Sequence, residues 1–100
     1  MFEIIKSGDE NALTFKLVGK LNSVTSQEFK EEAFSAANSC INLTLDFADL
    51  QYIASAGLRV VLEVHKNMSA EGKTLILTNV DEGTMEILQA TGLTRFLVIK

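Results

Sequence analysis

The sequence has no proline and no tryptophan, and it contains one cysteine and one histidine among its 100 residues. A lone cysteine cannot form an internal disulfide, and Cys40 and His65 lie far apart in the chain, without the clustered ligands of a metal site. Cys40 also precedes an apolar segment, which predicts a buried thiol. The chain has no repeat, linker or low-complexity stretch either. These absences exclude a disulfide scaffold and a zinc module, and they indicate one domain over residues 1–100.

Positive charge is also scarce, since nine lysine and arginine residues face 13 acidic residues and give a net charge of −4. The basic residues are scattered singly, which argues against nucleic acid or an anionic membrane as the main partner. No apolar run approaches the roughly 20 residues that span a bilayer, and residues 1–10 lack the positive start and apolar stretch of a signal peptide. We therefore expect a cytoplasmic domain that binds neither nucleic acid nor membrane.

Hydrophobic residues make up 47% of the chain and charged residues 22%, as in ordinary globular proteins. Short apolar or alternating segments predict five strands. Gly19 marks a bend near the end of the second strand, and Asp46 marks the end of the third. The predicted strands cover residues 2–5, 12–21, 41–47, 73–78 and 96–99.

Three segments with helical periodicity alternate with the later strands. The first begins with a capping box in which Thr25 is the N-cap and Glu28 reaches back from the third helical position. The second starts near Ser55 and carries a broad apolar face. The third is capped by Asp81 and ends at Gly92, which is predicted to adopt the left-handed conformation.

The predicted order of elements is β-β-α-β-α-β-α-β. After the first hairpin, strands and helices alternate, which calls for parallel pairing joined by right-handed crossovers. We therefore expect an α/β fold with a mixed, mostly parallel sheet and with helices packed mainly on one side.

The chain lacks the usual arrangements of catalytic residues. It has none of the glycine patterns of phosphate-binding loops. Ser55, His65 and Asp46 are the residue types of a catalytic triad, but they cannot form one, because helical geometry separates Ser55 from His65 by roughly 15 Å. His65 lies within an apolar helical arc, where a packed histidine is the simpler interpretation. We therefore expect a binding protein without enzymatic activity.

Small residues occupy positions 54–57, between a strand end and an apolar helix. They leave open the unpaired N–H groups and the partial positive charge of the helix N-terminus. One interpretation is structural: Ser55 is an N-cap, and Ala56 and Gly57 allow tight packing. The other is functional: Ser55 is a phosphorylation switch on an exposed docking surface. A phosphoryl group adds about −1.5 to −2 charges, which would disrupt the fit of a partner bound against the helix start.

Five segments of the chain resemble the STAS domain family, specifically the bacterial anti-sigma factor antagonists. Residues 52–62 (YIASAGLRVVL) resemble the family signature F-I-D-S-S-G-L-x-x-L. Residues 17–22 (LVGKLN) resemble the family's G-x-L-D strand end, with Asn22 where aspartate is usual. The other similar segments are residues 45–50 (LDFADL), residues 72–77 (GKTLIL) and Gly92-Leu93.

The resemblance implies a STAS-like fold and a protein that binds a partner-switching serine kinase, which also acts as an anti-sigma factor. The unphosphorylated antagonist occupies this kinase and frees the sigma factor, which links it to signal transduction and transcription regulation. Phosphorylation at the helix start, here on Ser55, releases the kinase, and a PP2C-type phosphatase resets the phosphoprotein. ATP and Mg²⁺ belong to these partners, so we expect a monomer without a cofactor. The residues expected to dock the partner are Asn22, Ser23, Thr25, Ala54, Ala56, Gly57 and Arg59.

Two positions depart from the family pattern. Ala54 replaces the aspartate of D-S-S-G, and Ala56 replaces the serine directly before Gly57. If the phosphoacceptor must directly precede the glycine, the chain is a diverged, non-switching STAS module that serves as a structural subunit of a signalling or transport complex. If the family tolerates the shift, Ser55 is the acceptor. We favour the second interpretation because a single serine survives among the small residues.

Overall fold

The computed structural model describes residues 2–100, and its elements follow the predicted order. The strands are β1 (Phe2–Gly8), β2 (Ala12–Leu21), β3 (Asn42–Ile53), β4 (Thr74–Thr78) and β5 (Val98–Ile99), and the helices are α1 (Thr25–Ser39), α2 (Ser55–Ala70) and α3 (Glu82–Ala90). The strands form one sheet in the order β1-β2-β3-β4-β5. Strands β1 and β2 pair antiparallel, and the other described neighbours pair parallel. The predicted mixed α/β sheet is therefore confirmed.

The hydrophobic core lies between one face of the sheet and the helices. Along β3 and β4, buried residues alternate with partly exposed ones, as expected for strands covered on one face. The buried strand residues include Leu43, Leu45, Leu75 and Leu77. The helices contribute Phe29, Ala33 and Ala37 from α1, Val61, Val64 and Met68 from α2, and Leu88 from α3. The apolar stripes of the helices therefore pack on the sheet, and the prediction that the helices lie mainly on one side is confirmed.

Strand β3 is longer than its alternation predicted, because its pairing with β2 is irregular. Lys16 pairs with Asp46, whereas Val18 pairs with Asp49, so β3 carries an extra residue at this point. A second register shift directly follows Gly19, which has a φ of 103° and forms the predicted bend. These extra residues interrupt the alternation, and β3 continues past Asp46 to the start of α2. The strand end predicted near Asp46 is therefore wrong.

The end of the chain also differs from the prediction. Gly92 has a φ of 77° and ends α3 in the left-handed conformation, as predicted. The following residues form a short 3-10 helix (Leu93–Arg95) instead of entering a strand. Strand β5 therefore starts at Val98, and Phe96 lies outside it with 61% of its surface exposed.

Candidate functional site

The start of α2 is held next to the ends of β2 and β3 by a backbone hydrogen bond. The Ala54 N–H donates a hydrogen bond of 2.8 Å to the carbonyl oxygen of Leu21, the last residue of β2. Leu21 pairs with Ile53 in the sheet, so the chain leaves both strands at the same edge. This bond brings the loop that follows β2 beside the first turn of α2. The two segments predicted to form the docking surface therefore meet in space.

The first turn of α2 has no side-chain cap. Ala54 is the N-cap residue, and its carbonyl oxygen accepts from the N–H groups of Gly57 at 3.0 Å and Leu58 at 3.1 Å. Ser55 is the first helical residue and is exposed, so the alternative in which Ser55 is the N-cap is wrong. Early N–H groups of a helix have no intrahelical partner, and they carry the positive end of its dipole. An exposed hydroxyl thus stands at an open helix N-terminus.

Gly57 allows α2 to approach the strand ends closely. It is buried, and a Cβ atom built on it would lie 2.9 Å from Ile53 Cγ1 and 3.3 Å from Leu21 Cβ. Side chains at such distances must shift or clash. The part of the structural interpretation that gives Gly57 a tight-packing role is therefore confirmed, and Gly57 itself lies beneath the surface that a partner would contact.

The loop after β2 is held by reciprocal hydrogen bonds between Asn22 and Thr25. Asn22 Oδ1 accepts from the N–H groups of Val24 and Thr25, each at 2.9 Å, while Thr25 Oγ1 accepts from the Asn22 N–H at 2.9 Å. The Ser26 N–H also donates to the Asn22 carbonyl oxygen at 3.0 Å. The N-cap residue of α1 is Val24, without a side-chain cap hydrogen bond, and Asn22 and Thr25 exchange their bonds in the turn that leads into the helix. The predicted box with Thr25 as N-cap and Glu28 as its partner is therefore wrong. Asn22 and Thr25 shape the loop, and their side-chain oxygens already have partners.

A shallow groove separates the first turns of α1 and α2. It has a volume of about 210 Å³, and three of the predicted docking residues, Ser23, Ala56 and Arg59, line it. The hydroxyl of Ser26 also borders the groove, buried and without a hydrogen-bond partner. Asn22, Thr25, Ala54 and Gly57 lie beside the groove without lining it. No partner is bound, so the docking role of these residues stays a prediction.

Exposed apolar side chains near this edge were missing from the prediction. Val24 is 77% exposed in the loop before α1, Tyr52 is 54% exposed near the end of β3, and Ile87 is 44% exposed on α3. Tyr52 and Ile87 border a second shallow cavity of about 240 Å³. Apolar groups grouped at an exposed edge are typical of protein contacts. Val24, between two polar residues of a predicted loop, was a signal that the sequence already offered.

Arg59 is the basic group closest in sequence to Ser55 on α2. It follows Ser55 by four residues, which places both side chains on the same side of the helix. Arg59 is exposed, and it is not part of the salt bridges found among residues 2–100. A negative group on Ser55 would therefore meet both the helix N-terminus and a guanidinium group.

The acidic residues of β3, Asp46 and Asp49, bond to groups on neighbouring parts of the sheet. Asp46 Oδ1 accepts from Asn79 Nδ2 and from the Ala48 N–H, each at 2.9 Å, and these bonds hold the pKa of Asp46 below its ordinary value. Lys16 Nζ lies 2.9 Å from Asp49 Oδ2, and this hydrogen-bonded contact raises the pKa of Lys16. Both acids lie within β3, and their contacts join β3 to its neighbours.

Cys40 is buried at 2% exposure, and burial raises the pKa of its thiol. The prediction of a buried thiol is therefore confirmed. Across residues 2–100, no three histidine, cysteine or acidic side chains are grouped closely enough to hold a metal ion. In the same part of the chain, every helix is too short or too polar to cross a membrane.

The chain is similar to known proteins in family pattern and in fold. The family model of the STAS domain matches residues 3–100. The phosphorylated form of the Bacillus protein SpoIIAA has a TM-score of 0.78 and 18% identity, covering 100% of this chain and 91% of that chain. An anti-sigma factor antagonist from Mycobacterium paratuberculosis has a TM-score of 0.87 and 15% identity, covering 99% and 85%. A Thermotoga maritima protein described as a candidate anti-sigma factor antagonist has a TM-score of 0.88 and 22% identity, covering 96% and 84%. At these identities the solved structures show the fold.

Proposed function

This chain belongs to the STAS domain family, and we propose that it is an anti-sigma factor antagonist which binds a serine kinase that acts as an anti-sigma factor. In this proposal the free chain is a cytoplasmic monomer that binds the kinase without a cofactor of its own. The kinase supplies ATP and Mg²⁺, and a PP2C-type phosphatase removes the phosphoryl group. Binding and release, and not catalysis by this chain, transmit the signal to transcription.

One observation carries the proposal: Ser55 is exposed at the uncapped start of α2, beside a groove and exposed apolar side chains. The groove brings together Ser23 and Arg59, and Val24 and Tyr52 supply apolar area nearby. A kinase that covers this edge would bury the Ser55 hydroxyl or its immediate surroundings. The same contact puts Ser55 within reach of the partner's active site.

Phosphorylation of Ser55 would act on the partner and not on the fold of this chain. A phosphoryl group carries about −1.5 to −2 charges, and the open N–H groups of α2 together with Arg59 stabilise that charge where it is formed. A partner seated against Ala54 and Ala56 would then have to bury a bulky, solvated anion, which opposes docking. The complex would separate while the domain stays folded.

The test uses tagged chain expressed in its native cells. Wild-type protein, Ser55→Ala and Ser55→Asp serve as baits, and retained proteins are identified by mass spectrometry, purified and incubated with the chain and Mg²⁺-ATP. We expect a kinase that phosphorylates a peptide containing Ser55 and that binds Ser55→Asp roughly tenfold or more weakly than wild type. The Ser35→Asp variant, which adds the same charge on the exposed side of α1, should bind like wild type.

Two results would contradict the switch. One is a kinase that leaves Ser55 unmodified and labels another residue, and the other is equal weakening by Ser55→Asp and Ser35→Asp. The absence of serine at position 56 favours a second candidate function, a non-switching STAS module within a larger complex. That function predicts stable retention of a non-kinase partner by all three baits, independently of the residue at position 55.

A further inference from the structure

A second cleft lies along the far half of α2. Its volume of about 470 Å³ falls within the range of about 300–1,000 Å³ that is usual for small-molecule sites. Ser69 follows Ser55 by 14 residues, which corresponds to roughly 21 Å along the helix axis. The cleft is therefore separate from the proposed docking edge. Its lining residues are Leu62, His65, Lys66, Ser69 and Ala70 of α2, together with Phe96 from the segment before β5.

The walls of the cleft are apolar and open to solvent. Phe96 keeps 61% of its surface exposed, and Leu62 is half-buried although its neighbours Val61 and Val64 are fully buried. The aromatic ring and the aliphatic side chain thus leave apolar area in water that a ligand could cover. The lining is short, with two turns of helix and one ring, whereas a standard protein interface takes about 800 Å² from each partner. These dimensions favour a small ligand.

The cleft also presents unneutralised positive charge. The salt bridges found among residues 2–100 do not include Lys66, which lines the cleft, or Arg95, which directly precedes Phe96. Of the acids that flank this stretch of the chain, Glu71 pairs with Lys73 at 3.1 Å, and the Glu63 carboxylate lies 3.9 Å from Lys30 Nζ on α1. A local cation in a chain with a net charge of −4 favours an anionic ligand at this place.

We propose that this cleft binds a small organic acid with an apolar body, such as a medium-chain carboxylate. The apolar body packs between Leu62 and Phe96, and the carboxylate lies toward Lys66. Hydrogen-bond donors are available at the rim from the Ser69 hydroxyl and the His65 imidazole. The proposal does not depend on the kinase or on Ser55, so it stands or fails independently of the proposed function.

The test is a titration of the ¹⁵N-labelled chain with octanoate, 1-octanol and acetate, followed by amide chemical shifts. Octanoate should produce saturable shifts at Leu62, Ser69 and Phe96, 1-octanol should bind there more weakly, and acetate should leave these signals unchanged. Lys66→Gln should weaken octanoate binding about threefold to fivefold without changing the affinity for 1-octanol. Phe96→Ser, at an exposed position, should weaken both ligands about fivefold or more.

The matched control is Lys20→Gln, which removes the same charge from an exposed position on β2 and should bind octanoate like wild type. The proposal is overturned if octanoate gives no saturable shifts at the cleft, or if Lys66→Gln and Lys20→Gln behave alike. It is also overturned if cleft signals move on raising the protein concentration without ligand and octanoate does not compete. In that case a second copy of the chain covers the cleft.

Discussion

Helices α2 and α3 start at the same edge of the sheet with nearly the same backbone geometry, yet their capping differs. The N-cap residue Ala54 has φ −83° and ψ 168°, and the N-cap residue Asp81 has φ −74° and ψ 169°. Asp81 Oδ1 accepts from the Thr84 N–H at 2.7 Å, as the sequence predicted, whereas the methyl group of Ala54 cannot accept a hydrogen bond. Both backbones are therefore arranged for a cap, and the side chain alone makes the difference.

The amount of packing explains why α2 tolerates an uncapped start. Helix α3 has nine residues, of which Leu88 is buried, while α2 has 16 residues, of which six are buried. Short helices with little burial depend on local interactions, whereas well-packed helices are stabilised mainly by tertiary contacts. A cap is therefore more important for α3. The N-terminus of α2 stays open to a partner or to a phosphoryl group at little cost to the fold.

The largest expected effect comes from placing the same side chain in the first turn of each helix. Gly57→Val should destabilise the protein by about 1–3 kcal/mol, because its Cβ would lie 2.9 Å from Ile53 Cγ1. Gly83→Val should change the stability by less than about 0.5 kcal/mol, because a Cβ there meets Asp81 Oδ1 at 3.8 Å. Urea denaturation measures both, and Gly57→Ala replaces the valine variant if that does not fold. Equal stability of the two valine variants would disprove the close-packing role of Gly57.

Exchanging the capping chemistry should give the next largest effect. Asp81→Ala removes the side-chain acceptor for the Thr84 N–H and should cost about 1 kcal/mol. Ala54→Asp adds an acceptor at an N-cap with the same dihedral angles and should stabilise the protein by a similar amount. For a domain of this size, each change corresponds to a shift in melting temperature of about 4–8 °C. If Ala54→Asp lowers the melting temperature, the lack of a side-chain acceptor at position 54 is not the only reason why α2 has no cap.

A smaller effect is expected from the ionisation of the α3 cap. Hydrogen bonds from Thr84, first of all from its N–H, hold the pKa of Asp81 below its ordinary value. The stabilisation that this shift reflects is therefore present above the unfolded-state pKa of about 3.9. It is lost as the pH falls through the lower pKa of the folded state.

Asp81→Asn keeps a capping acceptor but does not titrate, so it isolates this ionisation. The advantage of wild type over Asp81→Asn in unfolding free energy should be constant near pH 6 and should shrink below about pH 4. Asp46, whose pKa is also lowered, is present in both proteins and cancels in the difference. A difference that does not change down to pH 2 would show that the charge of Asp81 adds nothing to its role as a cap.

Local chemistry made much of this fold predictable. The Asp81 cap and the left-handed Gly92 depend on adjacent residues, and the structure confirms both predictions. The start of α1 is less predictable, because its N-cap is Val24, without a side-chain cap, in place of the predicted Thr25. The side chain of Thr25 is bonded to the end of β2 instead, since Thr25 Oγ1 donates to the Lys20 carbonyl oxygen at 2.8 Å. That contact depends on how the chain turns as it leaves β2, and the residue pattern alone does not define this turn.

The candidate site was predictable only where it depends on adjacent residues. The position of Ser55 at a helix start follows from the small residues and the apolar periodicity around it. The meeting of Ser23 with Ala56 depends on the register of β2 and β3, which two shifts in pairing alter. The same shifts decide which side chains at the end of β3 face solvent. Alternation from Leu43, Leu45 and Phe47 predicts an exposed Tyr52, as found, but it does not predict the burial of Leu50.

The smallest expected change in stability is that of Ser55→Asp, and it tests whether this variant weakens kinase binding without unfolding the domain. Ser55→Asp places a negative charge at the first position of α2, next to open N–H groups and four residues before Arg59. The charge should stabilise the isolated domain by about 0.3–1 kcal/mol, although the same variant is expected to weaken kinase binding. Ser35→Asp, which lies in the interior of α1, should give no such gain. Thermal unfolding of both variants at low and high salt measures the effect, and the gain should shrink as salt screens it. A loss of stability in Ser55→Asp would instead make unfolding the simpler cause of any weakened docking.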